Sequence, residues 1–337
     1  MMKKRKIGFF ALLICLLLSL PVSAAETKKE GWQKASDGVA YYYKNGKIAK
    51  GFVRIKNKTC YFNQRGKLVK DSWVFYKGKK YRADHWGTIK KNCFVCVDGK
   101  FYSLKADGSA RKGWQQFPYG LAYFGNDGAL RKGLQTINGK AYLFSQKGIL
   151  LTGTQTVGNT TYYLSDRGRL EMKKVATQNG NLYYDGDGKK LSDVKVQDIE
   201  TLERAKKIAA EITNSSMTQE QKLKACFDWV IKKPYVMRRK FVNEPGWPAL
   251  YANDHFLLGG GNCESDACAF AYLAKAIGYT NIYVCTDSDG TWGLAHSWAE
   301  INGLVYDPLF AEAKNYNKYY GAPYGVYELH PILHVAL

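Results

Sequence analysis

A glycine returns every 20 or 21 residues through the first half of this sequence, at Gly46, Gly66, Gly87, Gly108, Gly128, Gly148, Gly168 and Gly188. An aromatic segment precedes each one, as in AYYYKNG, CYFNQRG, FYSLKADG and TYYLSDRG. This period is too short for a pair of helices but fits one β-hairpin per unit. The aromatic residues favour strands, and the glycines supply turns with positive φ. One hairpin cannot bury its own aromatic face. Successive hairpins stacked on one another can, so residues 31–192 are expected to form an all-β hairpin-repeat solenoid of eight units. Most of the tyrosines then serve as packing between units.

The sequence around this block sets its context. The start, MMKKRKIGFFALLICLLLSLPVSAA, has a basic end, an apolar run and small residues at Val22, Ser23 and Ala24. That order predicts a secretory signal peptide over 1–25, with no membrane span after its removal. Residues 31–192 carry 30 Lys and Arg against 10 Asp and Glu, whereas 193–337 carry 14 against 17. A charge contrast of this size suggests two units with different tasks. Nucleic acid is an unsuitable partner for an exported chain without a recognised reading motif. Beyond the leader lie Cys60, Cys93, Cys96, Cys226, Cys263, Cys268 and Cys285, an odd number that leaves at least one thiol unpaired within the chain. Cys93 and Cys96 have CxxC spacing without a second pair, so they read as strand residues and not as a metal site.

From residue 193 the periodicity becomes helical. Leu202, Ala205, Ile208, Ala209 and Ile212 recur on one face. Thr218 and Gln221 form a capping-box pattern, Cys226 falls on a buried face, and Pro234 marks an end. WPALYANDHFLL reads as a further helix with Pro248 in its first turn, followed by GGGNCESDACAF. Cys263 there opens a helix, where free amides and the positive dipole end favour a thiolate. Cys268 lies inside the helix and reads as packing. NIYVCTD is a strand, with Cys285 either in the core or paired with another thiol. The two aspartates of TDSDG are too few for a calcium loop. Asn302-Gly303 predicts a two-residue hairpin that makes His296 and Asp307 diagonal cross-strand neighbours. Helix-borne Cys263, strand-borne His296 and the following Asp307 form the order of an activated thiol nucleophile with its base and orienting carboxylate. His255, His330 and His334 lack such a setting.

Two resemblances extend this reading. The repeats resemble the cell-wall-binding family of Gram-positive surface proteins, which includes choline-binding and glucan-binding members. That resemblance implies attachment to a bacterial cell-wall polysaccharide, teichoic acid or peptidoglycan. It also implies ligand-facing aromatics, with Trp32, Tyr42, Tyr43, Trp73, Trp114 and Tyr123 as candidates. The family pattern of a Trp after a unit's first glycine is met only at Trp32 and Trp114, and no unit contains WYY.

GGGNCESDACAFAYLAKAIGY, AHSWAEI and VYDP resemble the transglutaminase-like superfamily, with a papain-like α+β fold expected over 193–337. The resemblance implies Cys263 as nucleophile, His296 as general base and acid, and Asp307 as orienting carboxylate. It also implies an upstream oxyanion donor, for which Tyr251 and Asn253 are candidates, and a peptide or protein substrate. No cofactor or metal is expected. A secreted, wall-associated cysteine enzyme is the leading expectation, either a protease or amidase or a cross-linking transglutaminase. A non-catalytic surface adhesin is the alternative.

Overall fold

The computed structural model describes residues 29–36, 38–291 and 295–337. The expected signal peptide lies outside the described residues. Contacts divide the chain into Met1–Gln135 with Phe144–Leu150, and Thr136–Leu143 with Leu151–Leu337. The line of division falls within the repeats, while the change from strands to helices falls at Asp193.

In the first unit the chain runs as antiparallel hairpins. Gly51–Ile55 pairs with Lys58–Phe62, Trp73–Tyr76 with Lys79–Arg82, Cys93–Val97 with Lys100–Leu104, and Gly113–Phe117 with Gly120–Phe124. Tight turns use consecutive positive-φ residues, as at Lys77-Gly78 and Asp98-Gly99. After two of these hairpins, the side chains of Asn63 and Asp84 accept the backbone N–H groups two and four residues on.

The repeat glycines explain how one hairpin meets the next. Two places after Gly66, Gly87 and Gly108 the residue donates its N–H to the previous hairpin: Leu68 to Ala40 O at 3.0 Å, Ile89 to Thr59 O at 2.8 Å and Ala110 to Lys80 O at 2.8 Å. The glycine itself lies against the equivalent residue of the unit before. Gly87 has φ +79°, and a Cβ there would come within 2.7 Å of the Leu68 side chain. The period therefore reflects two demands at one position: a left-handed backbone and close approach of the preceding unit. Phe62 and Phe124 are fully buried between successive units. Burial of each such ring stabilises the stack by about 1.5–3 kcal/mol.

In the second unit the last repeats depart from separate hairpins. Gly153–Val157, Thr160–Leu164, Leu170–Thr177 and Gly180–Asp185 join in one four-stranded antiparallel sheet, with an irregularity at Tyr163/Leu164. The helices follow. Ser192 caps α1 (Asp193–Ile212) and Thr218 with Gln221 forms both bonds of a capping box on α2 (Gln219–Ile231). Then come α3 (Trp247–Leu258), carrying Pro248 in its first turn, and α4 (Cys263–Ala276), capped by Asn262. Short helices α5 (Pro308–Ala313) and α6 (Tyr316–Tyr319) lie near the C-terminus.

A five-stranded antiparallel sheet completes this α+β region. Its strands are β1 (Ile282–Thr286), β2 (Ser297–Ile301), β3 (Leu304–Tyr306), β4 (Tyr320–Ala322) and β5 (Leu333–Ala336), in the order β4-β3-β2-β1-β5. Asn302 and Gly303 form the β2–β3 turn with φ 52° and 82°, and Ile301 pairs with Leu304. Every residue of α4 from Cys263 to Ala274 is buried. A single apolar face would leave half the helix exposed. Instead α1, α2 and α3 pack around α4 together with β1 and β2, and its alanines permit that close approach. Among the described residues no helix is long and apolar enough to cross a membrane.

Candidate active site

Cys263 is the first residue of α4, and its orientation follows from the cap. Asn262 Oδ1 accepts the Ser265 N–H at 3.2 Å and the Ser265 hydroxyl at 3.0 Å, fixing the turn into the helix. The loop before it has little room. Gly260 has φ +145°, and a Cβ there would lie 2.3 Å from the Pro234 carbonyl oxygen. The Cys263 thiol donates to Ala295 O at 3.4 Å, which brings the sulfur to the residue preceding His296.

His296 is held from several sides. Its N–H donates to Asp287 Oδ1 at 2.7 Å, and its ring stacks on Phe310 at 4.1 Å with 18° between planes. Its Nε2 lies 2.7 Å from Asp307 Oδ2. Asp307 is fully buried, just beyond β3, as the N-cap of α5. Its Oδ1 accepts the Phe310 N–H at 3.0 Å, and its Oδ2 accepts the Tyr327 hydroxyl at 2.8 Å. The ladder itself stops at Ala299↔Tyr306, so Asp307 reaches His296 from just beyond the paired strands. Because Asp307 engages Nε2, Nδ1 is the ring nitrogen left to serve a thiol.

The electrostatics differ from the expectation of a standing thiolate. Cys263 is only 5% exposed. Burial, followed by the neighbouring Glu264 carboxylate, pushes its thiol well above the ordinary range. The Glu264 carboxyl is also pushed up by burial, and it accepts from the thiol at 3.5 Å. The helix-terminal field does not outweigh desolvation and a carboxylate at one residue's distance. Both causes favour the neutral thiol over the thiolate.

The oxyanion candidates have other partners. The Tyr251 hydroxyl donates to Lys240 O at 2.8 Å and accepts from Val242 N–H. Asn253 accepts from Arg204 and donates to Thr201, both on α1. Neither is brought to Cys263 by these bonds. A residue not singled out from the sequence is tied to the loop before Cys263. Tyr235 forms a parallel bridge with Gly261, and Cys263, Glu264 and Asp266 all raise its phenol, after burial as the larger cause. Its only sequence signal is its place beside Pro234, the residue whose carbonyl crowds Gly260. His255 is buried and bonds Asp266 Oδ1 at 2.8 Å, as a structural pair beneath the same helix.

The candidate ligand aromatics form corners between adjacent hairpins. Trp32 meets Tyr42 at 5.3 Å and Phe62 at 5.8 Å, and Trp114 meets Tyr123 at 5.0 Å and Phe144 at 5.8 Å. Tyr43 lies under the Lys29 ammonium. Trp73 meets Tyr102 at 4.5 Å, and the Lys80 ammonium sits over both rings, at 4.1 and 4.5 Å. That corner already holds a cation from the chain itself. The seven cysteines from Cys60 to Cys285 are free thiols, so Cys285 is not in a disulfide.

Residues 206–311 match the family model of the transglutaminase-like superfamily, and this part of the chain is a transglutaminase-like domain. The chain is also similar to choline-binding repeat proteins. Choline binding protein F from Streptococcus pneumoniae is 25% identical, with 49% of this chain and 58% of that chain covered and a TM-score of 0.38. The choline-binding domain of CbpL from the same organism is 25% identical, with 48% and 87% covered and a TM-score of 0.33. Glucosyltransferase-I from Streptococcus downei is 31% identical over 87 residues, which are 25% of this chain and 5% of that protein. The chain thus spans about a twentieth of that curated relative and 58% of choline binding protein F.

Proposed function

We propose that this chain is a secreted, wall-associated cysteine acyl-transfer enzyme that acts on peptide or side-chain amide bonds. The observation that carries the reading is the short His296 Nε2–Asp307 Oδ2 contact, 2.7 Å, beside a thiol bonded to the carbonyl of Ala295. In this mechanism His296 Nδ1 takes the Cys263 proton as the sulfur attacks an amide carbonyl. Asp307 stabilises the imidazolium and holds the ring. The imidazolium returns the proton to the leaving amine, and a thioester remains on Cys263. Water then yields hydrolysis, as in a protease or amidase, whereas an amine yields a cross-link. The amides of the α4 N-terminus are available to stabilise the oxyanion, with Tyr235 as a side-chain donor at the rim.

The hairpins serve as the attachment region. Their excess of 30 basic over 10 acidic residues across 31–192 suits anionic wall polymers such as teichoic acid, and the exposed aromatics suit polysaccharide. Mass spectrometry of wall peptides and surface proteins incubated with the protein tests the enzyme. A cleaved amide or new isopeptide bond that disappears in Cys263→Ala supports it, and identical products from that variant oppose it. Sedimentation of the whole chain with purified walls, challenged with salt, free polysaccharide and choline, tests attachment. A second reading, a non-catalytic surface binder, is favoured by one observation: Cys263 is only 5% exposed. Absence of any thioester from a substrate-treated protein would favour that reading.

A further inference from the structure

One face of the C-terminal sheet carries a second cluster of side chains, which the acyl-transfer reading does not use. Cys285 on β1 is the direct register partner of His334 on β5 and of Trp298 on β2. Glu300 lies two residues beyond Trp298, so strand alternation returns it to the same face. Cys285 Sγ, a Glu300 carboxylate oxygen and a His334 ring nitrogen all lie within 4.8 Å of one another. His334 Nε2 is 2.8 Å from Glu300 Oε2. The surroundings order these groups. The Tyr324 hydroxyl lies 3.1 Å from Glu300 Oε2 and 3.7 Å from Cys285 Sγ, while the Trp298 indole N–H donates to that hydroxyl at 3.1 Å. The His334 ring stacks on Tyr283 at 3.9 Å.

We propose that Cys285, Glu300 and His334 form a binding site for a divalent cation of the zinc class. One thiolate, one imidazole and one carboxylate are a donor set suited to a borderline-soft ion. Around a tetrahedral zinc, bond lengths of about 2.0–2.3 Å place ligand atoms roughly 3.3–3.6 Å apart. The present spacing reaches that arrangement by small side-chain adjustments. The Glu300–His334 bond opens, and the thiol releases its proton to solvent as the ion binds. Tyr324 then orients the Glu300 carboxylate from outside the coordination sphere. Cys285 is fully buried, whereas the His334 side chain is 42% exposed, so the ion enters from the β5 side. Three ligands from the chain leave one coordination position for water. The bound ion joins β5 to β1 and β2, giving the edge strand a crosslink beyond its ladder bonds.

The test uses the whole chain carrying Cys263→Ala, which removes the candidate nucleophile as a competing thiol. Cobalt(II) is titrated as a spectroscopic probe and then displaced by zinc. The proposal expects one equivalent bound, with a near-ultraviolet thiolate-to-cobalt band. It expects His334→Ala, a half-exposed change, to weaken cobalt binding by at least about 10-fold, and Cys285→Ser to remove the band. Should Cys285→Ser fail to fold, the His334→Ala comparison still decides. No thiolate band in the Cys263→Ala chain, or an unchanged affinity on adding His334→Ala, overturns the proposal.

Discussion

Two glycines, one in each region, show how differently the halves of this molecule tolerate change. At Gly87 an added methyl would meet the Leu68 side chain at 2.7–2.8 Å, a contact with a side chain and not with backbone. At Gly260 it would meet the Pro234 carbonyl oxygen at 2.3 Å, in backbone that cannot move without shifting the loop into Cys263. The repeats spread their specification over many similar joints. The back region concentrates its chemistry in single-copy contacts. The proposed attachment can therefore be graded, whereas the proposed chemistry is close to all-or-none.

The largest break in this comparison is expected at Asp307. Asp307→Asn keeps the Phe310 cap but removes the charge that stabilises the imidazolium. Amide turnover should fall by about 10³–10⁴-fold with little change in the melting transition. Steady-state kinetics beside calorimetry checks this, and a loss under about tenfold would detach Asp307 from the chemistry.

Next in size is the glycine pair itself. Gly260→Ala should destabilise the back region by about 2–4 kcal/mol, against about 1–2 kcal/mol for Gly87→Ala in the repeats. Urea unfolding followed by local hydrogen exchange measures both. Equal losses would mean that the loop adapts as readily as a repeat joint.

Alkaline pH separates the regions again. Burial pushes Cys226 and Cys285 up to about 12 in the back region, whereas Cys60, also raised by burial, is the one buried thiol among the described residues of the first unit, beside half-buried Cys93 and exposed Cys96. Folded values above the unfolded one mean that this stability is complete below about pH 8.5 and is lost as pH rises toward 12. At pH 10 each buried thiol should contribute about 1–2 kcal/mol less than at neutral pH. The tryptophan and tyrosine signals of the back region should therefore melt before the hairpins in a pH-dependent unfolding series. Hairpins that melt first would contradict the assignment.

The smallest effect is expected at Lys80. Lys80→Ala removes an ammonium from the Trp73–Tyr102 corner and should cost about 0.5–1 kcal/mol of stability. It should also raise the affinity for a quaternary ammonium, read as a shift in tetramethylammonium titrations of tryptophan fluorescence. No shift would mean that the corner is too closed for any cation but its own.

The two regions also differed in how openly they could be read. Hairpin spacing and strand propensity pointed directly to the repeats, because each unit restates the same local rule. The extra role of the residue two places after such a glycine was not visible. Leu68 and Ile89 look like ordinary strand residues until their N–H groups are seen to bond the preceding hairpin. Nor did the pattern show the last repeats joining into one sheet, since strand pairing across units leaves no periodic mark. In the back region, the Thr218–Gln221 box, Pro248 and Asn302-Gly303 announced their elements through local chemistry. The order of Cys263, His296 and Asp307 was legible for the same reason. What escaped was tertiary: α4 is enclosed on all sides, Asp307 reaches His296 from a helix cap, and desolvation with Glu264 reverses the expected effect of the helix end on the thiol. The Cys285–Glu300–His334 cluster escaped because its members are far apart in sequence and meet only through strand register.

The most direct test of the account is intact-protein mass spectrometry of the substrate-treated chain, quenched in acid and mapped by digestion. The account predicts a thioester adduct on Cys263 that is discharged by water or an added amine, and is absent from Cys263→Ala. An adduct-free Cys263 together with a Cys263→Ala chain that turns over substrate at the parent rate would contradict it.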